Sequence, residues 1–459
     1  MIGIHFLFMK YLLFFFCLFT FTLSLKADHY LGANISYKNL GNRTLEVTVS
    51  TYENEQMADS DKPSIVFYWG DDQHEAVSRV NGAGNGVLIN PNIRKSIYKG
   101  THTYSYDGNF RIFVSEAYRS GSILNLNNGN SSNVKLYVDA LAPVYWDAGI
   151  CTNNSVEYQL DPIFYAEKNL PYSVNPGAYD SDGDSLVYIL QNCRMENGAT
   201  ATKYTLPINT SVDATTGTLT WLTPGTGSHS FCLVINEYRS GKIIGSSSTD
   251  FVVKTSTNFT VNPTFPTLPH FQVIPGSTLK YGINISLSTV SSQSYSFWTS
   301  ALAANNNPVS TANDVTDTVT WNTTINDAKK GAYVMVHRYQ AILNGNYLQK
   351  DYAVAVHLYG DKTVNCTVPE LTEVEIVTPE IGLYNVAPNV SSDLFWINIG
   401  TVDGKKLYLY DEQGRLIELY SNFTTETVKL DLSSLGAAMY FLVIYENDKK
   451  IIVKKIIKI

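Results

Sequence analysis

Two stretches one hundred residues apart follow the same order, and this repeat restricts the fold more than any other feature. Thr218-Leu219-Thr220-Trp221 returns as Thr318-Val319-Thr320-Trp321. Ser230 to Tyr238 returns as Gly331 to Tyr339, and Asp250-Phe251-Val252-Val253 returns as Asp351-Tyr352-Ala353-Val354. Each piece is short and alternates or runs apolar, as strands do, and the pieces are separated by turn residues. A period near 100 residues is the length of one β-sandwich. A shorter echo, Glu116-Ala117-Tyr118-Arg119-Ser120-Gly121 against Glu237-Tyr238-Arg239-Ser240-Gly241, ties the preceding region to the same pattern. The expectation is an all-β chain built as a tandem of sandwiches.

Composition agrees. Charged residues make up 16 %, while Tyr numbers 31 and Phe 20 of 459. Such a chain favours strands and turns over helices. Residues 1–27 have the layout of a secretory signal peptide, with Lys10, an apolar run from Tyr11 to Leu25 and a small Ala27 at its end. That run is too short to span a bilayer comfortably. No later stretch could span one, so the mature chain is expected to lack a transmembrane anchor. Losing residues 1–27 removes two lysines and no acid, which takes the formal charge from −8 to −10. An acidic chain argues against nucleic acid as partner. Cys17 would leave with the signal peptide. Cys151, Cys193, Cys232 and Cys366 would remain, enough for two disulfides. Cys193 with Cys232 is the favoured pair, with Cys151 joined to Cys366 or free.

The first unit, 28–140, carries Trp69-Gly70-Asp71-Asp72, then His102-Thr103-Tyr104 and Gly108-Asn109-Phe110. These resemble the polycystic-kidney-disease (PKD) type of immunoglobulin-like domain, with Asp72 in place of a Gly and Phe110 in place of a Tyr. His29-Tyr30-Leu31-Gly32 onward resembles the start of large secreted surface proteins of gliding Bacteroidetes. The second unit, 141–257, runs through Asp180-Ser181-Asp182-Gly183-Asp184 to Gly217-Thr218-Leu219-Thr220-Trp221. It resembles the cadherin-like immunoglobulin-fold repeats of bacterial surface proteins. A degenerate third repeat is expected over 258–361, entered by the Pro-rich stretch Pro263 to Pro269. An acidic linker follows over 362–378.

The strongest candidate site is the acidic turn. Asp180, Asp182 and Asp184 sit on one tight bend, and hard Ca²⁺ takes six to eight oxygens, so the loop could supply about half a shell. Glu237 or Asp161 would complete it. A solvated Asx turn explains the same residues without a metal. Asp71, Asp72, His74 and Glu75 read as an exposed polar turn. Trp146, Trp298 and Tyr295 are candidate sugar-stacking aromatics, although most aromatics of a sandwich are core. No acid/base pair or nucleophile assembles from spacing, so no catalytic residue is assigned and no cofactor other than Ca²⁺ is expected.

Residues 379–459 close the chain. Tyr410-Asp411 leads to Gly414-Arg415, then Asp431-Leu432-Ser433-Ser434-Leu435, Tyr440, and the basic ending with Lys454 and Lys455. This order resembles the type A C-terminal sorting domain of the type IX secretion system. Two positions depart: Pro388-Asn389 is followed by Val390, and Ala438 precedes Met439-Tyr440 where the family has Gly. The resemblance implies Asp411, Gly414, Arg415, Asp431, Leu432, Leu435, Tyr440, Lys454 and Lys455 as sorting residues, and the type IX machinery as partner. The expected architecture is tandem immunoglobulin-like sandwiches plus this sandwich, delivered through the periplasm to the outer surface or medium. A non-enzymatic role in adhesion, gliding or matrix binding is expected, with surface glycans or extracellular proteins as partners. The alternative is a secreted polysaccharide- or protein-degrading enzyme, or its carbohydrate-binding accessory.

Overall fold

The computed structural model describes residues 29–459, apart from 56–60, 91, 118, 148, 162, 196–198, 257–269, 285–292, 302–306, 313–315, 330, 344–345, 359–365, 370–385, 388–389, 392–393, 412–414, 437, 448 and 459. Among the described residues the regular structure is β-strand, with a few single 3₁₀ turns. No described helix is long and apolar enough to cross a membrane. The expected signal peptide and the Pro263–Pro269 entry lie outside the described residues.

The first unit has eight strands: β1 (Tyr30–Gly41), β2 (Thr44–Asn54), β3 (Ser64–Tyr68), β4 (His74–Ser78), β5 (Val87–Asn90), β6 (Ile93–Thr103), β7 (Gly108–Glu116) and β8 (Leu136–Val144). They form the layers β1-β2-β6-β5 and β4-β3-β7-β8. Alternation selects the inner faces: Leu45, Val47 and Val49 of β2 are buried and meet Ile65, Phe67 and Trp69 in one core. The Trp-Gly-Asp and His-x-Tyr motifs are a brace inside this core. His102 stacks on Trp69 with centroids 4.8 Å apart, and its Nε2 lies 2.8 Å from Asp71 Oδ2. The Tyr104 hydroxyl donates to the Trp69 carbonyl at 2.9 Å. Gly70 has φ +83°, and a Cβ there would sit 2.6 Å from the Arg111 carbonyl oxygen, so both backbone shape and space demand glycine.

The second unit comprises β9 (Glu157–Tyr158), β10 (Ile163–Glu167), β11 (Tyr172–Val174), β12 (Ala178–Tyr179), β13 (Ser185–Gln191), β14 (Thr210–Val212), β15 (Leu219–Trp221), β16 (Gly227–Arg239) and β17 (Lys242–Ser256). The third comprises β18 (Phe271–Gln272), β19 (Thr278–Asn284), β20 (Gln293–Thr299), β21 (Val309–Ala312), β22 (Thr316–Asn322), β23 (Tyr333–Leu343) and β24 (Asn346–His357). The two share one plan. In each, a long hairpin (β16–β17, β23–β24) gains a parallel strand on one side (β10, β18) and an antiparallel strand on the other (β13, β20). Across the core lies a three-stranded layer, β11-β15-β14 or β19-β22-β21. The repeated Trp fills the same place in both: Trp221 and Trp321 are buried against the hairpins.

The units are not beads on a string. β17 bonds to β1 at Ala33↔Asp250 and to β8 at Ser246↔Leu141, so one sheet runs through units one and two. β8 also crosses position 140, so the first sandwich extends to Val144 rather than stopping at Ala140. Units two and three meet at a buried ion pair. Arg338 Nε and Nη2 each donate to Asp351 at 2.8 Å, and the Asn175 backbone N–H of unit two donates to Asp351 Oδ2 at 2.8 Å. Disulfides join Cys193 to Cys232 and Cys151 to Cys366. The second brings part of the 362–378 stretch back to the start of unit two, where Cys151 N also bonds the Thr367 carbonyl at 2.9 Å.

The last module holds β25 (Val386–Ala387), β26 (Val390–Ser391), β27 (Leu394–Asn398), β28 (Lys405–Asp411), β29 (Leu416–Tyr420), β30 (Thr427–Asp431), β31 (Ala438–Glu446) and β32 (Lys449–Lys458). Layers β25-β27-β30 and β26-β32-β31-β28-β29 enclose a core of Phe395, Leu407, Leu409, Leu432, Tyr440 and Leu442.

Candidate metal centre

The acidic turn joins β12 to β13, and Gly183 (φ +84°) makes its bend. The three aspartates do not act together. Asp182 points to one side, where Asn154 N and Nδ2 donate to its two oxygens at 2.8 Å each and Arg239 Nη2 reaches Oδ2 at 3.1 Å. Asp180 and Asp184 turn inward and meet Glu237 of β16. All three are buried, and one oxygen of each lies within 4.8 Å of the others. Of the two residues proposed to complete the set, Glu237 is therefore at the cluster. Asp161 is elsewhere: it accepts from Tyr52 Oη at 2.9 Å and Lys95 Nζ at 2.8 Å.

Each partner of the cluster is identifiable. Arg239 Nε and Nη2 grip Asp184 Oδ1 and Oδ2 at 2.7 Å, a bidentate pairing. Glu237 Oε1 accepts from Val156 N at 2.8 Å, and Oε2 accepts from Asn153 Nδ2. Asp180 Oδ1 accepts from Asp184 N at 2.7 Å, while Asp180 Oδ2 is buried with no donor. Burial, reinforced by the Asp184 charge, pushes the Asp180 carboxyl up to about 7. Burial, then the Asp180 charge, raises Glu237 well above the usual carboxylate range. An oxygen-only donor set of this kind suits a hard cation and not a thiolate- or imidazole-loving metal.

The cluster sits where three units touch. Asn153 Nδ2 bonds both Glu237 and the Tyr37 hydroxyl of β1, the latter at 2.9 Å. From unit three, Gly331 packs so closely that a Cβ on it would lie 2.7 Å from the Asp184 carbonyl oxygen.

Other candidates resolve differently. Asp72, His74 and Glu75 are exposed, and Asp71 braces His102. Trp146 is 62 % exposed, with the Arg43 guanidinium 5.5 Å from its ring centre. Trp298 and Tyr295 are half-buried, and Tyr295 stacks on His337 with ring centres 6.1 Å apart. Tyr295 joins a network that spacing did not reveal: its hydroxyl contacts Asp317 and His337, His337 Nδ1 lies 3.0 Å from Asp317, and Tyr281 Oη lies 2.9 Å from His337 Nε2. Ser310 Oγ donates to Asp317 Oδ1 at 2.6 Å rather than to the histidine. This places Ser, Asp and His together without the serine–histidine bond that activates a nucleophile.

In the last module, Asp411 accepts from Arg415 N at 2.8 Å and Nε at 2.6 Å, and Gly414 lies outside the described residues. Asp431 Oδ1 accepts from Ser433 N at 3.0 Å. Leu432 is buried and Leu435 packs against the same core. The Tyr440 hydroxyl donates to the Gly436 carbonyl at 2.9 Å, so the tyrosine is anchored although Ala438 stands where the family has Gly. Lys454 and Lys455 lie on β32 opposite Leu442 and Phe441. Sequence reasoning missed Lys458, whose buried ammonium donates to the Leu432 and Ser433 carbonyls at 2.8 and 3.3 Å.

No curated protein sequence matches the chain. Among solved structures, a three-domain titin fragment (I67–I69, E-to-A variant) aligns over 65 % of this chain and 96 % of its own at 8 % identity and TM-score 0.17. Drosophila OTK extracellular domains 3–5 align over 69 % and 93 % at 13 % identity and TM-score 0.17. The eight N-terminal Ig domains of Down Syndrome Cell Adhesion Molecule align over 93 % and 49 % at 9 % identity and TM-score 0.16. Scores this low carry no argument about function. Residues 385–459 match the family model described as the Secretion system C-terminal sorting domain, so this multi-domain chain of tandem β-sandwiches carries a type IX sorting domain, which implies export to the cell surface or the extracellular space.

Proposed function

We propose that the exported body, residues 29 to about 369, is a non-enzymatic surface or secreted protein that acts in adhesion, gliding or matrix binding. One observation carries this reading. The side chains best suited to chemistry, Asp71 with His102 and Asp317 with His337, are spent as braces within sandwich cores. The fused sheet and the Arg338–Asp351 junction support a stiff body that holds binding loops at a distance from its attachment point. Surface glycans or other extracellular proteins are the proposed partners, and the exposed Trp146 beside Arg43 offers one aromatic face for a sugar ring. The PKD-like and cadherin-like character of the units and a Bacteroidetes source belong to the same proposal. So do the signal peptide, which would carry the chain into the periplasm, and removal of the sorting domain after export.

The test has two arms. Deleting residues 379–459 in the host should abolish extracellular delivery, and undiminished extracellular protein would refute the sorting role. The mature chain on a glycan array and an extracellular-matrix panel should bind without turnover. Hydrolysis of a polysaccharide or protein substrate would instead establish the enzymatic alternative.

A further inference from the structure

We infer that Asp180, Asp184 and Glu237 form a calcium site that ties the first three units together, with Asp182 outside the ligand set. The carboxyl groups at this point are Asp180, Asp182, Asp184 and Glu237, and the cations acting on them are Arg239 and Lys329. Arg239 pairs with Asp182 and Asp184, and among the described residues Asp180 and Glu237 have no ion-pair partner. Buried carboxylates left without one are costly, because their solvation is lost and their mutual repulsion is weakly screened.

One oxygen of the cluster also lacks a partner. Asp180 is 5 % exposed, its Oδ2 has no donor, and its carboxyl faces the two other acids. A buried acceptor without a donor costs about 1–3 kcal/mol in ordinary settings. A cation bound there removes that cost. The remaining oxygens have capacity to spare: each carboxylate oxygen has two lone pairs, and the partners of Asp184 and Glu237 occupy one on each.

The three oxygens lie close enough together to share one ion. Calcium tolerates irregular, partly water-filled oxygen shells, whereas Mg²⁺ demands near-ideal octahedral geometry. Glu237 comes from the β16 strand, the aspartates come from the β12–β13 turn, and Asn153 and Gly331 connect the site to units one and three. Occupancy would therefore stiffen all three junctions at once.

The test uses the full mature chain after chelator treatment. Terbium should bind with tyrosine-sensitised luminescence and be displaced by Ca²⁺ at one equivalent per chain. The expected apparent Kd is about 10⁻⁴ M, in the range of extracellular calcium modules. Calcium should also slow proteolysis of the folded chain. Asp180→Asn and Glu237→Gln should each weaken binding about 100-fold, while Asp182→Asn should change it by less than about fivefold. Wild-type protein that binds no calcium saturably up to about 10 mM overturns the proposal, whatever the variants do. So does binding that survives both Asp180→Asn and Glu237→Gln, or that is lost in Asp182→Asn alone.

Discussion

Replacing Asp351 by Ala should be among the most damaging single changes in the body. Its side chain is fully buried, and it holds three donors: two from the Arg338 guanidinium and the Asn175 backbone N–H. Removing one partner of a buried ion pair leaves the other charge uncompensated, at about 3–5 kcal/mol. The orphaned Asn175 N–H contributes within the same range, at about 1–3 kcal/mol. Because the terms overlap, about 4 kcal/mol is expected in total. For a unit near 100 residues that corresponds to a fall in melting temperature of roughly 15–30 °C. Differential scanning calorimetry and urea unfolding would read this. They should also show unit three melting apart from unit two, since Arg338 Nη2 reaches the Asn175 carbonyl and Ser173 bonds the Asp351 carbonyl across the same junction. The double variant Arg338→Met/Asp351→Leu removes both charges and should recover to within about 2 kcal/mol of wild type. A single variant that loses less than about 1 kcal/mol, or a double variant worse than the single, would refute the reasoning.

Two further predictions concern other parts of the chain. Burial raises Glu53 to about 7 and lowers His29 to about 4, with Asp61, Lys62, Arg79, Arg94, Tyr30 and Tyr98 as their charged and titratable surroundings. A raised carboxyl stabilises fully below its unfolded value and loses that contribution as pH rises through 7, on the order of 3 kcal/mol. A depressed histidine loses stability as pH falls from 6.5 to 4, over nearly the same window in which the carboxyl regains it, so the two slopes nearly offset each other in the wild type. Urea unfolding from pH 4 to 8 should show stability falling toward acid in Glu53→Gln, where only His29 titrates, and falling from pH 4.5 to 7 in His29→Gln, where only Glu53 does; a flat profile in His29→Gln would count against the Glu53 assignment. In the sorting domain, Lys458→Met should cost about 1–3 kcal/mol by freeing the Leu432 and Ser433 carbonyls, measured by thermal melting of that domain.

Much of the fold was legible because it is local. The repeated Thr-x-Thr-Trp marked the strand whose indole fills each core. What was not legible depends on distant pairing. Nothing near Ala33 announces that its strand will meet Asp250, and the cut at residue 140 failed because turn residues thin out where β8 simply continues. The acidic turn shows the same limit at the level of a site. Spacing groups Asp180, Asp182 and Asp184, but Arg239 and Asn154 draw Asp182 away, and Glu237 arrives from a strand more than fifty residues later. Tyr295 looked like a surface aromatic because its partner, His337, lies over forty residues on. Lys458 went unread because a terminal lysine ordinarily points to water.

Strand β17 has a consequence for how the chain comes to be folded. β1 is made early, yet one of its edges stays open until residues 249 and 250 arrive, more than two hundred positions later. Until then the N-terminal sandwich presents bare strand edges at β1 and β8, the kind of surface on which chains join one another. Closure of a loop that long is slow compared with forming a local hairpin. An emerging chain would thus pass through a stage in which its oldest part is its least finished, and any fragment ending near Val144 should inherit that stage permanently. The first sandwich is completed by the second one's hairpin, so the smallest unit that can fold cleanly is the pair.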